Sequence, residues 1–318
     1  MEPARLANRF KDAATPVAVL LASIALGANR AGVELGAAEL DLALRRRLMN
    51  RGYADVLGRL LPPVTLTAPT IDEALAAAPP DEEALHVVAI AEFSARLADA
   101  VGERLRAGQA VLTFGGDHSL SIGTLAGASR LGRLGLIWID AHGDINTPAT
   151  TPSRRVHGMP VAVALGYGPR AIVAVGHQFD VQLDDLVYIG VRNLDPGERE
   201  LLRQSPARVF TMAHVNRLGV PALAAEAIDH LRRRGVDAVH LSFDLDALEP
   251  SIIQGIGSPE PGGLTYREAD HLLTLLRDSD LPLVAADFVE LDPTLDPSDR
   301  AARLAAGLAA RLLGEEII

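Results

Sequence analysis

Four polar clusters, each directly behind a short apolar run, hold most of the residues able to do chemistry in this 318-residue chain. Val111–Phe114 leads into Gly115-Gly116-Asp117-His118-Ser119, and Leu136–Ile139 into Asp140-Ala141-His142-Gly143-Asp144. His240–Phe243 is followed by Asp244-Leu245-Asp246, and Val284–Asp287 by Phe288-Val289-Glu290. One Asp or His in such a place is ordinarily a helix cap or turn residue. The set is different. Asp140, His142 and Asp144, like Asp244 and Asp246, recur with period two, so an extended backbone would point their side chains the same way. Two histidines and four aspartates gathered together would raise one another's carboxyl pKa values unless cations neutralised them. Two divalent ions balance four aspartates. Carboxylate and imidazole without thiolate suit a hard or borderline ion such as Mn²⁺, and paired metals activate water and polarise an electrophile. The residues therefore predict a dinuclear hydrolase.

The composition narrows the alternatives. The chain has no cysteine, which excludes a disulfide scaffold, a thiol nucleophile, a zinc ribbon and an iron–sulfur cluster. A formal net charge of −11 argues against a polyanion-binding face, so no nucleic-acid partner is expected. The arginine runs 45–47 and 232–234 fall late in predicted helices, where cations suit the dipole. The apolar run from Val17 to Ala28, behind Arg5, Arg9 and Lys11, is too short to span a bilayer. Glu2 and Asp12 intrude on an export signal, and no cleavage pattern follows. A buried first strand, no membrane partner and a cytoplasmic location are expected. No dinucleotide fingerprint, P-loop or nucleophile elbow occurs; Gly255-Ile256-Gly257 reads as a loop.

The elements that must position these clusters alternate in type. Strand-like runs are Val17–Ile24, Ala110–Phe114, Leu136–Ile139, Leu186–Ile189, Val209–Met212, Val239–Phe243 and Leu283–Asp287. Most are continuously apolar, as strands covered on both faces are. Helical periods occupy Asp81–Arg106, Ala222–Arg234 with Gly235 as its stop, Thr265–Arg277 with a Thr265/Glu268 capping box, and Ser298–Leu313 with Ser298 as N-cap. Pro62-Pro63 and Pro79-Pro80 bracket a polar connection too short to divide the chain. The pattern predicts a single α/β domain over residues 1–318 with a mainly parallel sheet. Ligands then bind beyond the carboxyl ends of the strands, where the clusters lie.

In ordered agreement the chain resembles the ureohydrolase (arginase–agmatinase) family. The segments are GANRAGVELG (27–36), GGDHS (115–119), DAHGDINTP (140–148), VHGMP (156–160), VYIGVRNLDPGE (187–198), HLSFDLDALEP (240–250), GGLTYRE (262–268) and FVELDP (288–293). The resemblance implies a three-layer α/β/α fold with a parallel sheet of about eight strands, two Mn²⁺ per subunit, and a trimer or hexamer. It implies that His118, Asp140, Asp144 and Asp244 hold one ion, and His142, Asp140, Asp244 and Asp246 the other. The implied reaction is hydrolysis of L-arginine to L-ornithine and urea by hydroxide bridging the ions. Asp144, Glu290 (which would hold the guanidinium) and the proton-shuttle His157 are its implied catalytic residues. Asn146, Thr151, Ser153, Asp195 and Ser258 match positions facing the substrate.

Several positions depart from the family's pattern. Arg155, after Arg154, stands where an Asn usually binds carboxylate. Glu249 replaces an Asp near the ligand loop, Ser258 a Thr, and Ala37 a Pro. These leave open another guanidino- or formimino-acid hydrolase, such as an agmatinase, a guanidinobutyrase or a formimidoylglutamase. A non-catalytic arginine-binding regulator is the reading from a different class.

Overall fold

The apolar runs form the interior of one parallel sheet. The structure, a computed structural model, describes residues 6–77, 83–176 and 181–316. Among them are β1 (Val17–Ser23), β2 (Val64–Thr67), β3 (Ala110–Gly115), β4 (Leu134–Ile139), β5 (Val181–Val191), β6 (Arg208–Thr211), β7 (Ala238–Asp244) and β8 (Leu283–Val289). They lie in the order β2-β1-β3-β8-β7-β4-β5-β6, every pair parallel. Successive side chains point to opposite faces, and both faces are covered. Val17, Val19 and Leu21 pack with the helices Gly36–Asn50, Val220–Arg234, Tyr266–Asp278 and Arg300–Leu313. Ala18, Leu20 and Ala22 pack with Val87–Arg106, Ser121–Ala128 and Pro160–Ala164. This is the expected three-layer α/β/α arrangement. No helix of the described residues is long and apolar enough to cross a membrane.

Some element boundaries differ from the sequence reading. β2 was not expected there: it is four residues long, mostly exposed and at the sheet edge, so it carries no apolar run. The helix expected over Asp81–Arg106 begins at Val87, because His86 is left-handed with φ 55°; the expected start at Asp81 lies outside the described residues. The last helix begins at Arg300 rather than beside Ser298. Asp296 takes the capping role, accepting from the N–H groups of Ser298 and Ala301. The Thr265 capping box and the left-handed Gly235 stop are as expected.

The topology places four strand ends side by side. In register, Phe114 lies beside Phe288, Phe288 beside Phe243, and Phe243 beside Ile139. All four polar clusters begin just past this row. Gly116 is closely hemmed in by backbone: a Cβ there would sit 1.8 Å from the Ile24 carbonyl oxygen. Its own carbonyl accepts from the Glu290 N–H at 2.8 Å. Gly116→Ala must therefore part β1 from β3 and is expected to cost about 2 kcal/mol, read by denaturant unfolding. Gly58→Ala, whose Cβ meets nothing within 4 Å, should leave the midpoint unchanged or raise it.

Candidate metal centre and substrate pocket

His118 follows β3, Asp140, His142 and Asp144 follow β4, Asp244 closes β7 with Asp246 in the turn behind it, and Glu290 follows β8. The six expected ligand residues are brought together, though not by extended backbone. The strand stops at Ile139, and Asp144 turns back with φ 48°. Asp246 sits in a 3-10 turn, its N–H donating to Asp244 Oδ1 at 2.8 Å. Tight turns, rather than a period of two, aim these side chains. Asp144 and Glu290 (φ 68°) are both left-handed non-glycine residues, a costly conformation that clusters at functional sites.

His118 Nδ1 stands 3.0 Å from Asp144 Oδ2, 3.0 Å from Asp244 Oδ2 and 3.3 Å from Asp140 Oδ2. It is buried and makes no hydrogen bond of its own. His142 Nδ1 lies 2.9 Å from Asp246 Oδ2 and 3.5 Å from Asp140 Oδ1. Two groups able to hold a metal ion result, His118/Asp140/Asp144 and Asp140/His142/Asp246, sharing Asp140. Burial, then the neighbouring carboxylates Asp246 and Asp140, push the Asp244 carboxyl well up; burial and Asp140 push Asp246 up to about 6. Mutual repulsion of this kind, beside an imidazole nitrogen with no donor or acceptor of its own, fits divalent cations.

The surrounding residues fix His118. Its ring stacks on Trp138 with centroids 4.2 Å apart, and Trp138 Nε1 donates to Asp140 Oδ2 at 2.9 Å. His118 Nε2 meets Ser242 Oγ at 2.8 Å, which leaves Nδ1 for the carboxylates. Ser242 donates to Asp287, and Asp287 also pairs with His240 Nε2 at 2.9 Å and accepts from Thr124 Oγ1 at 2.7 Å. All of these are buried. Such partners orient a metal ligand. The sequence reading missed Ser242, His240 and Asp287. Polar residues at three buried strand positions were the available signal.

Next to the metal-ligating groups is a cavity of about 130 Å³ lined by His142, Asp144, Asn146, Thr151, Ser153, His157, Asp195, Glu198, Ser258 and Glu290, among others. Asn146 Nδ2 donates to Asp195 Oδ2 at 2.8 Å, placing an amide and an acid side by side in its lining. Glu198, not singled out from the sequence, accepts from the N–H groups of Ile145 (3.1 Å) and Asp195 (2.9 Å). Burial, then Asp144, raises it to about 7. Its spacing three residues after Asp195 was the cue. Arg155 does not line this cavity. It borders a neighbouring cleft with Arg30, Ser258, Glu290 and Asp292. Glu249 also lies elsewhere: its Oε2 accepts from the N–H groups of Gly262 and Gly263, so the extra methylene pins a loop rather than altering the ligand cluster.

Glu290 Oε1 accepts from the His118 N–H at 2.8 Å and meets His157 Nδ1 at 3.0 Å. Burial alone would lower the His157 pKa, but the hydrogen bond and charge of Glu290, with Asp144 and Asp117, raise it to about 9. A histidine raised in the folded state stabilises fully below its ordinary 6.5 and loses that contribution as pH climbs through about 9. In the metal-free protein, the melting-temperature gap between wild type and His157→Gln should be constant from about pH 5 to 6.5 and close above pH 9. A gap that widens at alkaline pH would refute the pairing.

Comparison with known proteins bears on the family and the fold. The sequence profile described as "Arginase family" matches residues 16–314. The arginase of Bacillus caldovelox is 38% identical over 307 residues, covering 95% of this chain and 99% of that one. The crystal structure of arginase from Bacillus subtilis superposes with a TM-score of 0.86 at 35% identity, covering 96% and 100% of the two chains. That of Entamoeba histolytica arginase in complex with L-ornithine gives 0.80 at 26%, covering 94% and 98%. With a family profile spanning nearly the whole chain and relatives matched over almost their full lengths, the chain belongs to the arginase family.

Proposed function

We propose that the protein hydrolyses L-arginine to L-ornithine and urea at a centre of two Mn²⁺ ions. The observation that carries this is the convergence of two histidines and four aspartates, with His118 Nδ1 free of hydrogen bonds, beside a cavity whose lining also holds Asn146 and Asp195. His118, Asp140, Asp144 and Asp244 would hold one ion; His142, Asp140, Asp244 and Asp246 would hold the other. When bound, the ions supply charge balance for the carboxylates and a water acidified enough to attack at neutral pH. The remaining steps belong to the protein's own groups. Glu290, ionised because its bonds from His157 and His118 outweigh its burial, receives the planar guanidinium through charge-assisted hydrogen bonds. His157 is protonated at neutral pH and gives its proton to the departing δ-amine as the C–N bond breaks. Asp195 faces the substrate's ammonium, while Asn146, Ser153 and Thr151 face its carboxylate. A relative solved in complex with L-ornithine, an amino acid with that same head group, supports an amino acid as the ligand class. Burial of Val17–Ala22 within β1, rather than use of that run as the core of an export signal, supports a cytoplasmic location.

Urea release by the Mn²⁺-loaded protein from arginine, agmatine and 4-guanidinobutyrate, and formamide release from formiminoglutamate, tests the reading. Arginine is expected to have the highest kcat/KM. A better substrate lacking the α-amino-acid head group would overturn the assignment of Asn146 and Asp195, and no turnover of any would favour a binding role.

A further inference from the structure

Asp117 is fully buried beside His118, yet it belongs to neither metal-holding group and lines neither the substrate cavity nor the neighbouring cleft. Both of its oxygens serve backbone. Oδ1 accepts from the Ser119 N–H and Oδ2 from the Gly27 N–H, each at 2.9 Å. A carboxylate is costly to bury; what offsets the cost here is this pair of bonds. One closes the His118 turn, and the other reaches the loop that follows β1. That loop touches the reaction site. The Gly27 carbonyl accepts from the His157 N–H at 3.3 Å, and His157 Nδ1 meets Glu290 Oε1 at 3.0 Å. Gly27 leaves the contact no slack: a Cβ there would lie 2.3 Å from Asp117 Oδ1 and 2.5 Å from Ser119 Oγ.

We propose that Asp117 is a positioning residue for the proton transfer: it holds Gly27, and Gly27 holds the main chain of His157 so that the ring stays on Glu290. The inference rests on the reading of His157 as proton donor. The base of the loop is tied without the Asp117 side chain. The Gly116 N–H donates to the Ala22 carbonyl and the Asp117 N–H to the Ile24 carbonyl, both at 3.0 Å. These backbone bonds survive a substitution at 117, so the fold should survive too. What the side chain adds is the tie at Gly27, and through it the placement of a group that must meet the leaving amine within hydrogen-bond reach.

Steady-state kinetics and bound metal of the full-length, Mn²⁺-loaded variants test it. In Asp117→Asn one amide oxygen replaces two acceptors, and the amide nitrogen faces the other N–H. The kcat for urea release should fall roughly 10- to 100-fold, the scale of a catalytic group misplaced by about an ångström. KM and metal content should match wild type, because Glu290 and the six ligand residues keep their places. Gly27→Ala, which breaks the same contact from the loop side, should show the same split. In a His157→Gln background, itself slower than wild type, Asp117→Asn should cost nothing further. Losses that multiply in the double variant, or metal lost from Asp117→Asn, would overturn the inference and leave Asp117 a support of the His118 turn. Unchanged kcat in both Asp117→Asn and Gly27→Ala would overturn it as well, while a slow His157→Gln would keep the proton-donor reading. A His157→Gln enzyme as fast as wild type would overturn both.

Discussion

Asp140→Asn is expected to lower urea release from arginine by roughly 10⁴-fold or more, the scale seen when one member of a catalytic unit is removed. Asp140 is the carboxylate common to both groups able to hold a metal ion, lying between His118 and His142. Losing its charge weakens both positions at once, whereas Asp246→Ala should empty or weaken only the one beside His142. The asparagine retains volume and an acceptor for the Trp138 indole, so the fold should survive. Metal analysis distinguishes the cases. Asp140→Asn should retain less than one ion per chain with its melting temperature, measured without metal, close to that of wild type. Full occupancy of both positions would contradict the sharing.

Glu290→Gln carries the second large effect. The amide still accepts from the His118 N–H but cannot neutralise a guanidinium. A pair of charge-assisted hydrogen bonds becomes neutral, a loss of about 3–4 kcal/mol, so kcat/KM should fall by roughly 10²–10³-fold. Metal content should not change. Arginine and agmatine should suffer alike, because both present the same group to Glu290. Asp195→Ala, by contrast, should penalise arginine more than agmatine, which lacks the α-ammonium. Equal penalties for the two substrates in Asp195→Ala would mean that the head group binds elsewhere.

The contrast between legible and hidden parts of this protein is physical. Strands buried on both faces must be mostly apolar, so β1, β3, β4, β7 and β8 announce themselves. β2, exposed at the sheet edge, carries no such constraint. The polar residues closing β3, β4, β7 and β8 were legible because charge directly behind a buried strand is conspicuous. The way they converge was not. Left-handed Asp144 and Glu290 carry no signature in their residue types, and the alternation of Asp140, His142 and Asp144 suggested an extended chain that the backbone does not follow. Ser242, His240 and Asp287 were hidden for the opposite reason: they interrupt apolar strands singly, and only the fold shows that they meet behind His118. Arg155 borders a cleft that shares His157, Ser258 and Glu290 with the main cavity, and Glu249 holds a loop.

The proposed hydrolysis of arginine depends on two cations held by six side chains. Its most direct test is a titration of chelator-treated, full-length protein with Mn²⁺, following ornithine and urea together with bound metal. Activity should be negligible without metal, reach its plateau at two ions per chain, and release ornithine and urea in equal amounts. Full arginine turnover in thoroughly chelated protein, or a plateau at one ion per chain, would contradict it.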